Sequence, residues 1–210
     1  DFYIYDPTSH LLREEHDLWG WKASYDHDWA GRQVRTERRD GSVTTVTYDA
    51  GDRVTREVTT AWDGRTRTTR WDFDGLGRLW RHWAPGASTA TVYEYPDATG
   101  GSGCCGSRTP GPTRVTDPDG HVTHYGYDDL GRLISVRDGS TGAETRHRYV
   151  ELGSLVGATE LYGASDAAPR RTTSYGYDWN GRLQSVTQSP ALAGQPAGTT
   201  TYGYLIGGAE

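Results

Sequence analysis

Methionine is absent from the 210 residues, Lys22 is the only lysine, and no apolar run is long enough to span a bilayer. Without an initiator the stretch reads as an excerpt from a longer polypeptide, and it carries neither a signal-like N-terminus nor a membrane span. Nearly all positive charge is arginine. A formal net charge of −6 leaves no basic face of the kind that nucleic-acid phosphates require, so a nucleic-acid partner is not expected. Aliphatic residues are sparse and mean hydropathy is −0.77, which argues against a thick hydrophobic core. Stretches with helical character are few, and the best of them, a loose run from Leu152 to Leu161, is interrupted by glycine. There is no Gly-x-Ser-x-Gly elbow, His-Glu-x-x-His helix, phosphate-cradling loop or dinucleotide fingerprint. Neither an enzyme nor a cofactor is expected.

What the chain has is a repeated sentence: aromatic, any residue, aromatic, Asp, two variable residues, Gly, Arg, apolar. It is cleanest at Tyr125, Tyr127, Asp128, Gly131, Arg132, Leu133 and at Tyr175, Tyr177, Asp178, Gly181, Arg182, Leu183. Trp71, Phe73, Asp74, Gly77, Arg78, Leu79 keeps every feature with other rings. Tyr25, His27, Asp28, Gly31, Arg32 loses the apolar end, and Tyr48, Asp49, Asp52, Arg53, Val54 loses the Gly. Tyr3, Tyr5, Asp6, Ser9, His10, Leu11 lacks both Gly and Arg, while His147, Tyr149, Val150, Gly153, Ser154, Leu155 lacks Asp and Arg. Tyr93 with Tyr95, and Tyr202 with Tyr204, are stumps. The first Asp-to-Asp steps are 22, 21 and 25 residues, and later ones are longer and irregular. A period in this range marks a stacked array, whose single unit cannot bury its own apolar face.

Each unit reads as a β-hairpin. Two aromatics two residues apart point to one face of a strand. The Asp that follows opens a turn, because its carboxylate accepts from backbone N–H groups further on, and the Gly supplies the left-handed residue that closes a type I turn with a bulge. Asp52 at the Gly position is tolerable, since Asp visits that conformation more readily than most residues; Ser9 is a poorer substitute. Asp40-Gly41, Asp63-Gly64, Asp119-Gly120 and Asp138-Gly139 punctuate the far ends of the strands. With 14 Tyr, 8 Trp and 28 Gly, the composition supports an all-β chain, a repetitive antiparallel hairpin ribbon. Aromatic layers and Arg over ring faces supply its stability. Three segments follow: repeats over 1–95 (four units and the start of a fifth), a Gly/Pro/Ser-rich insertion over 96–112, and repeats over 113–210 ending in a truncated unit.

Candidate sites are thin. The motif carboxylates read as turn-formers rather than as general acids or calcium ligands, and the motif arginines as partners of carboxylates and rings rather than an anion-binding stripe. Cys104 and Cys105 have three readings: a vicinal disulfide, metal ligands together with His121 and His124, or reduced thiols; no metal site is assigned. Of the indoles, Trp19 and Trp21, with Trp29 near them in the chain, are the candidates for stacking on a sugar, against the alternative that they line the ribbon.

The Tyr-x-Tyr-Asp-x-x-Gly-Arg-Leu units at 125–133 and 175–183, with the degenerate copies from Tyr3 onward, resemble the YD repeats of the Rhs family, which includes bacterial polymorphic toxins, Tc toxin components and teneurins. The resemblance covers nearly the whole chain. It implies a β-ribbon that spirals into a shell and, in bacterial members, encloses a toxic domain. Thr113 to Gly120 resembles the turn that precedes many such units. No core segment that closes the shell and no toxin domain is present in this stretch. About eight units of two strands, each adding roughly 4.8 Å, give a ribbon on the order of 75 Å. Wrapping a domain about 30 Å across needs a circumference of order 150 Å, so this piece cannot close a chamber alone. Two functions follow. One is a wall segment enclosing a toxin or other cargo in a secreted or injected protein. The other is an extracellular or cell-surface fibre module that binds carbohydrate or protein through exposed aromatics. The expected partners are the rest of the parent chain or neighbouring copies, an enclosed toxin domain, or a glycan.

Overall fold

The computed structural model describes residues 1–96, 111–150, 153–189 and 197–204. They form 17 strands and, among the described residues, no helix: β1 (Phe2–Tyr5), β2 (Leu12–Asp17), β3 (Gly20–His27), β4 (Gln33–Arg38), β5 (Val43–Tyr48), β6 (Val54–Thr60), β7 (Thr66–Phe73), β8 (Leu79–Trp83), β9 (Thr91–Glu94), β10 (Arg114–Thr116), β11 (Val122–Tyr127), β12 (Leu133–Asp138), β13 (Glu144–Tyr149), β14 (Val156–Tyr162), β15 (Arg171–Tyr177), β16 (Leu183–Gln188) and β17 (Gly198–Thr201). The chain is all-β and built of successive antiparallel hairpins. It divides into two units, Asp1–Val92 and Tyr93–Glu210. Within each unit, antiparallel pairing joins strands consecutive in sequence. The stretch from Leu152 to Leu161, the best candidate for a helix, contains the start of strand β14.

The motif hairpins share one construction. In the Tyr127 hairpin, Tyr125 pairs with Val136 and Gly126 with Ser135, but Tyr127 pairs with Leu133, so Ile134 is left over as a β-bulge. The same skip occurs at Arg13, Val34, Thr55, Trp80, Gly157 and Gln184. A bulge beside every motif turn increases local twist and bends the second strand of each hairpin. Nothing in the residue types at these seven places announces it.

Because successive strands reverse direction, the motif turns of a unit gather on one long edge and the connecting turns on the other. The motif loops from β1 to β8 and from β11 to β16 are five or six residues long, whereas the 19 residues between β9 and β10 follow the motif stump at Tyr93 and Tyr95. On the connecting edge the loops vary from the two residues between β2 and β3 to the nine between β16 and β17. Among the hairpins with five- or six-residue motif loops the irregular period of the sequence therefore arises in the connecting loops.

There is little interior. Among the described residues Ala23 and Ala90 are the buried apolar side chains and Thr36 and Glu160 the buried polar ones, and no large side chain is fully buried. Glu160 is neutralised locally: Arg148 Nε lies 2.9 Å from one oxygen, and the Tyr162 hydroxyl donates to the other at 2.8 Å. Cross-strand threonine pairs such as Thr44–Thr59 and Thr187–Thr199, each with hydroxyls 3.1 Å apart, add contacts worth roughly 0.2–1 kcal/mol apiece. A sheet of this kind is stabilised mostly by what links one hairpin to the next.

Candidate functional site

That link is built on the motif turn. Asp128 Oδ1 accepts from the backbone N–H groups of Leu130 and Arg132, at 3.0 and 2.9 Å, while Oδ2 accepts from Arg132 Nε at 2.7 Å and lies 2.7 Å from a second guanidinium nitrogen. Gly131 N–H donates to the Asp128 carbonyl at 2.9 Å, and Gly131 takes a φ of 78°. The carboxylate thus closes the turn and seizes the arginine that leaves it. The geometry recurs at Asp28/Arg32, Asp49/Arg53, Asp74/Arg78 and Asp178/Arg182, with Nε–Oδ2 distances of 2.8, 2.8, 2.7 and 2.7 Å. Gly31, Gly77 and Gly181 hold the left-handed seat at φ 80°, 81° and 76°, and Asp52 holds it at 62°.

Each clamp lowers its carboxyl pKa below the ordinary 3.8. For Asp28 and Asp49 the largest cause is the arginine side chain, and for Asp178 it is the Arg182 backbone N–H. For Asp74 and Asp128 partial desolvation pushes upward but is outweighed by the backbone N–H and guanidinium of Arg78 and Arg132.

The clamped arginine then reaches the next repeat. Arg32 lies over Tyr48, Arg53 over Phe73, Arg132 over Tyr149 and Arg182 over Tyr204, with guanidinium carbon to ring centroid at 4.8, 4.8, 4.5 and 4.5 Å. The tyrosines answer by donating their hydroxyls to the carbonyls of Gln33, Leu133 and Leu183, at 2.9, 2.8 and 2.7 Å. Tyr177 makes the same bond to Val156, at 2.9 Å. Arg32 and Arg132 also extend to the neighbouring turn, donating to Asp52 Oδ1 at 2.6 Å and to the Gly153 carbonyl at 2.5 Å. Carboxylate pairing and ring coverage are met by the same guanidinium.

Ring-on-ring layering does not carry the ribbon as expected. Among the described residues two ring pairs stack, Phe2–His16 at 4.4 Å and Trp71–His82 at 5.7 Å, whereas Arg fills the step between successive second aromatics. The two first aromatics that lead into Tyr127 and Tyr177, Tyr125 and Tyr175, lie in β11 and β15 and pair with Val136 and Val186. Leu79, Leu133 and Leu183 face the second aromatic of their own hairpin. Tyr25 serves differently: its hydroxyl donates to Glu15 at 3.0 Å, beside Lys22 at 2.8 Å.

Three turns differ from the sequence reading in which residue fills a given place. At Asp6 the N–H of His10 donates to the Asp6 carbonyl, His10 rather than Ser9 takes the left-handed conformation at φ 58°, and Leu12 rather than Leu11 faces Tyr5. At Asp138 the same longer turn puts Gly142, not Gly139, at positive φ, 71°. At Val150, Val156 rather than Leu155 faces Tyr149. Sequence reading also missed Asp117 and His121, which reproduce the clamp with imidazole in place of guanidinium: Asp117 Oδ1 accepts from the N–H of His121 at 2.8 Å, and Oδ2 lies 3.2 Å from His121 Nδ1. The signal was an Asp-x-x-Gly-His in the chain. Asp117, Asp119 and His121 bring three ligand-type atoms together, but they are the parts of this turn.

The proposed indole platform is not assembled. Trp19 sits in the turn before β3 and Trp29 in the turn after it, at opposite ends of an eight-residue strand, and they are 86% and 96% exposed. Trp21 is half-buried in β3, its carbonyl accepting from Arg39 Nε at 2.7 Å. Cys104 and Cys105 lie outside the described residues.

Comparison with known proteins places this geometry. No curated protein sequence matches the chain significantly. A TcdB2-TccC3-Cdc42 complex matches with a TM-score of 0.64 at 16% identity, over 95% of this chain and 11% of the other. A Tc holotoxin pore of Photorhabdus luminescens matches with a TM-score of 0.62 at 17% identity, over the same shares. The chain thus has the fold of these structures and spans about a tenth of the length of the chains it matches. Residues 111–149 match the RHS Repeat family, so the stretch from Gly111 through the clamp of Asp128 and Arg132 to Tyr149 is an RHS repeat.

Proposed function

We propose that this chain is a wall segment of a larger repeat-built β-shell, which encloses a toxin or other cargo within a secreted or injected protein. Its work is mechanical rather than catalytic. The carrying observation is the fit of 95% of the chain to 11% of much longer chains of the same fold. The physical build supports it, because a sheet without a core of its own needs a second surface against its aromatic face, and cargo inside a wall supplies one. The rest of the parent chain is the first partner. Among the described residues no helix is long and apolar enough to cross a membrane.

The test is protease protection in the parent protein. A cargo segment should resist digestion while the wall is intact and become cleavable when Gly131→Pro breaks a motif turn; equal cleavage in both would overturn the reading. The alternative, a fibre module that binds glycans, rests on the exposed indoles of Trp19, Trp29, Trp62 and Trp179. Retention on a glycan array, lost on replacing Trp19 and Trp21 by Ala, would favour it over enclosure.

A further inference from the structure

Asn180 is the one asparagine of the sequence, and it stands directly before a glycine inside the Asp178 clamp. The same place in the other clamped turns holds Ala30, Gly51, Leu76 and Leu130, none of which carries a carboxamide. Asn180 is exposed, and among the described residues its side-chain amide makes no hydrogen bond. Gly181 has no side chain to keep its backbone nitrogen from the Asn180 carboxamide carbon. We propose that Asn180 is a self-modification site, which converts to aspartate and isoaspartate through a cyclic imide, and that the Asp178 clamp holds this reaction back.

The Gly181 nitrogen gives its proton to a solvent base and attacks Cγ of Asn180. A new N–Cγ bond forms, the Cγ–Nδ2 bond breaks, and Nδ2 leaves with a solvent proton as ammonia. Water then opens the imide at either carbonyl, so the net change is water consumed and ammonia released. Opening at one carbonyl gives aspartate; opening at the other gives isoaspartate, whose main chain runs through the former side chain and gains a methylene. The fold obstructs the first step. Gly181 N–H donates to the Asp178 carbonyl at 2.9 Å, and Asp178 Oδ1 accepts from the N–H groups of Asn180 and Arg182, both at 2.9 Å. Attack therefore waits for the turn to open. Isoaspartate keeps it open, because the added methylene displaces the N–H groups of Gly181 and Arg182 from Asp178, and with them the guanidinium 4.5 Å over Tyr204. Asp-Gly pairs in the connecting turns, such as Asp63-Gly64, offer a carboxylate, a weaker electrophile, so Asn180 reacts first. The chemistry belongs to the turn and holds for a wall or a fibre alike.

The test follows the whole chain in mildly alkaline buffer, native and unfolded in urea. Mass spectrometry of the tryptic peptide 172–182 separates the Asn, Asp and isoaspartate forms. Conversion should run about ten- to a hundredfold faster in the unfolded chain, the span set by a charge-assisted hydrogen bond. Asp178→Ala should speed the native reaction over the same range, whereas Asp128→Ala, which opens a clamp elsewhere, should leave it near the parent rate. Absence of conversion in urea, equal rates in the native and unfolded parent, or an acceleration by Asp128→Ala that matches Asp178→Ala would overturn the proposal.

Discussion

Arg132 lies 4.5 Å above the ring of Tyr149 while Asp128 holds its Nε at 2.7 Å. One side chain therefore belongs to two repeats, oriented by the first and spent on the second. A guanidinium fixed by its own carboxylate loses little further freedom on meeting the ring. In a double-mutant cycle, Arg132→Ala and Tyr149→Ala should couple by about 0.5–1 kcal/mol, the range of a cation–π contact at a partly exposed site. Urea unfolding of the four proteins measures this, and purely additive effects would contradict the link.

Phe73 provides a gain-of-contact experiment. It sits under Arg53 where Tyr48, Tyr149 and Tyr204 sit under theirs, but without a hydroxyl to reach the preceding strand. Phe73→Tyr should donate to the Val54 carbonyl and stabilise the chain by about 0.5–1.5 kcal/mol, with Tyr149→Phe losing a similar amount. Equal unfolding midpoints for Phe73→Tyr and the parent would show that the carbonyl is already satisfied.

The left-handed seat separates residues by their backbone alone. Gly131→Ala, at φ 78°, should cost about 1–2 kcal/mol. His10→Gly should do the reverse, since relief at φ 58° exceeds the roughly 0.4–1 kcal/mol by which glycine loosens the unfolded chain. Thermal unfolding should place His10→Gly above the parent and Gly131→Ala below it.

Acid should act through the clamps. The carboxyls of Asp28, Asp49, Asp74, Asp128 and Asp178 are depressed below 3.8 in the folded chain, so the unfolded chain binds more protons in that region. Their contribution is complete above 3.8 and is lost as pH falls through the folded values. The urea midpoint should be level between about pH 7 and 5 and drop steeply below about pH 4. Replacing Asp28 and Asp49 by Asn should flatten that drop.

The hairpins, their turns and the left-handed Gly positions were legible in the sequence because Asp and Gly at fixed offsets have few other uses. Asp52 could be read as the glycine substitute that it is. The longer turns at Asp6 and Asp138 were not legible, since turns closed by the third and by the fourth N–H after the Asp share the same opening residue. The bulges at Ile134 and Trp80 follow from register rather than residue type. Trp19 and Trp29 looked like neighbours in the chain, yet an intervening strand reverses direction and sends them to opposite edges. The pairing of an arginine with a ring 16 or 17 residues on, as for Arg32 with Tyr48 or Arg132 with Tyr149, spans a connector of variable length, and only the folded register brings it out.

Length variation in the connecting loops has a consequence for how such a chain changes over time. Each clamped hairpin sets its own alignment at its own Asp, so residues gained or lost in a connector, such as the one between β14 and β15, do not propagate into the hairpins beyond it. Closing a longer connector costs only about 0.6 kcal/mol per doubling. The connectors are thereby free to accept new sequence while the clamped turns keep the stitching.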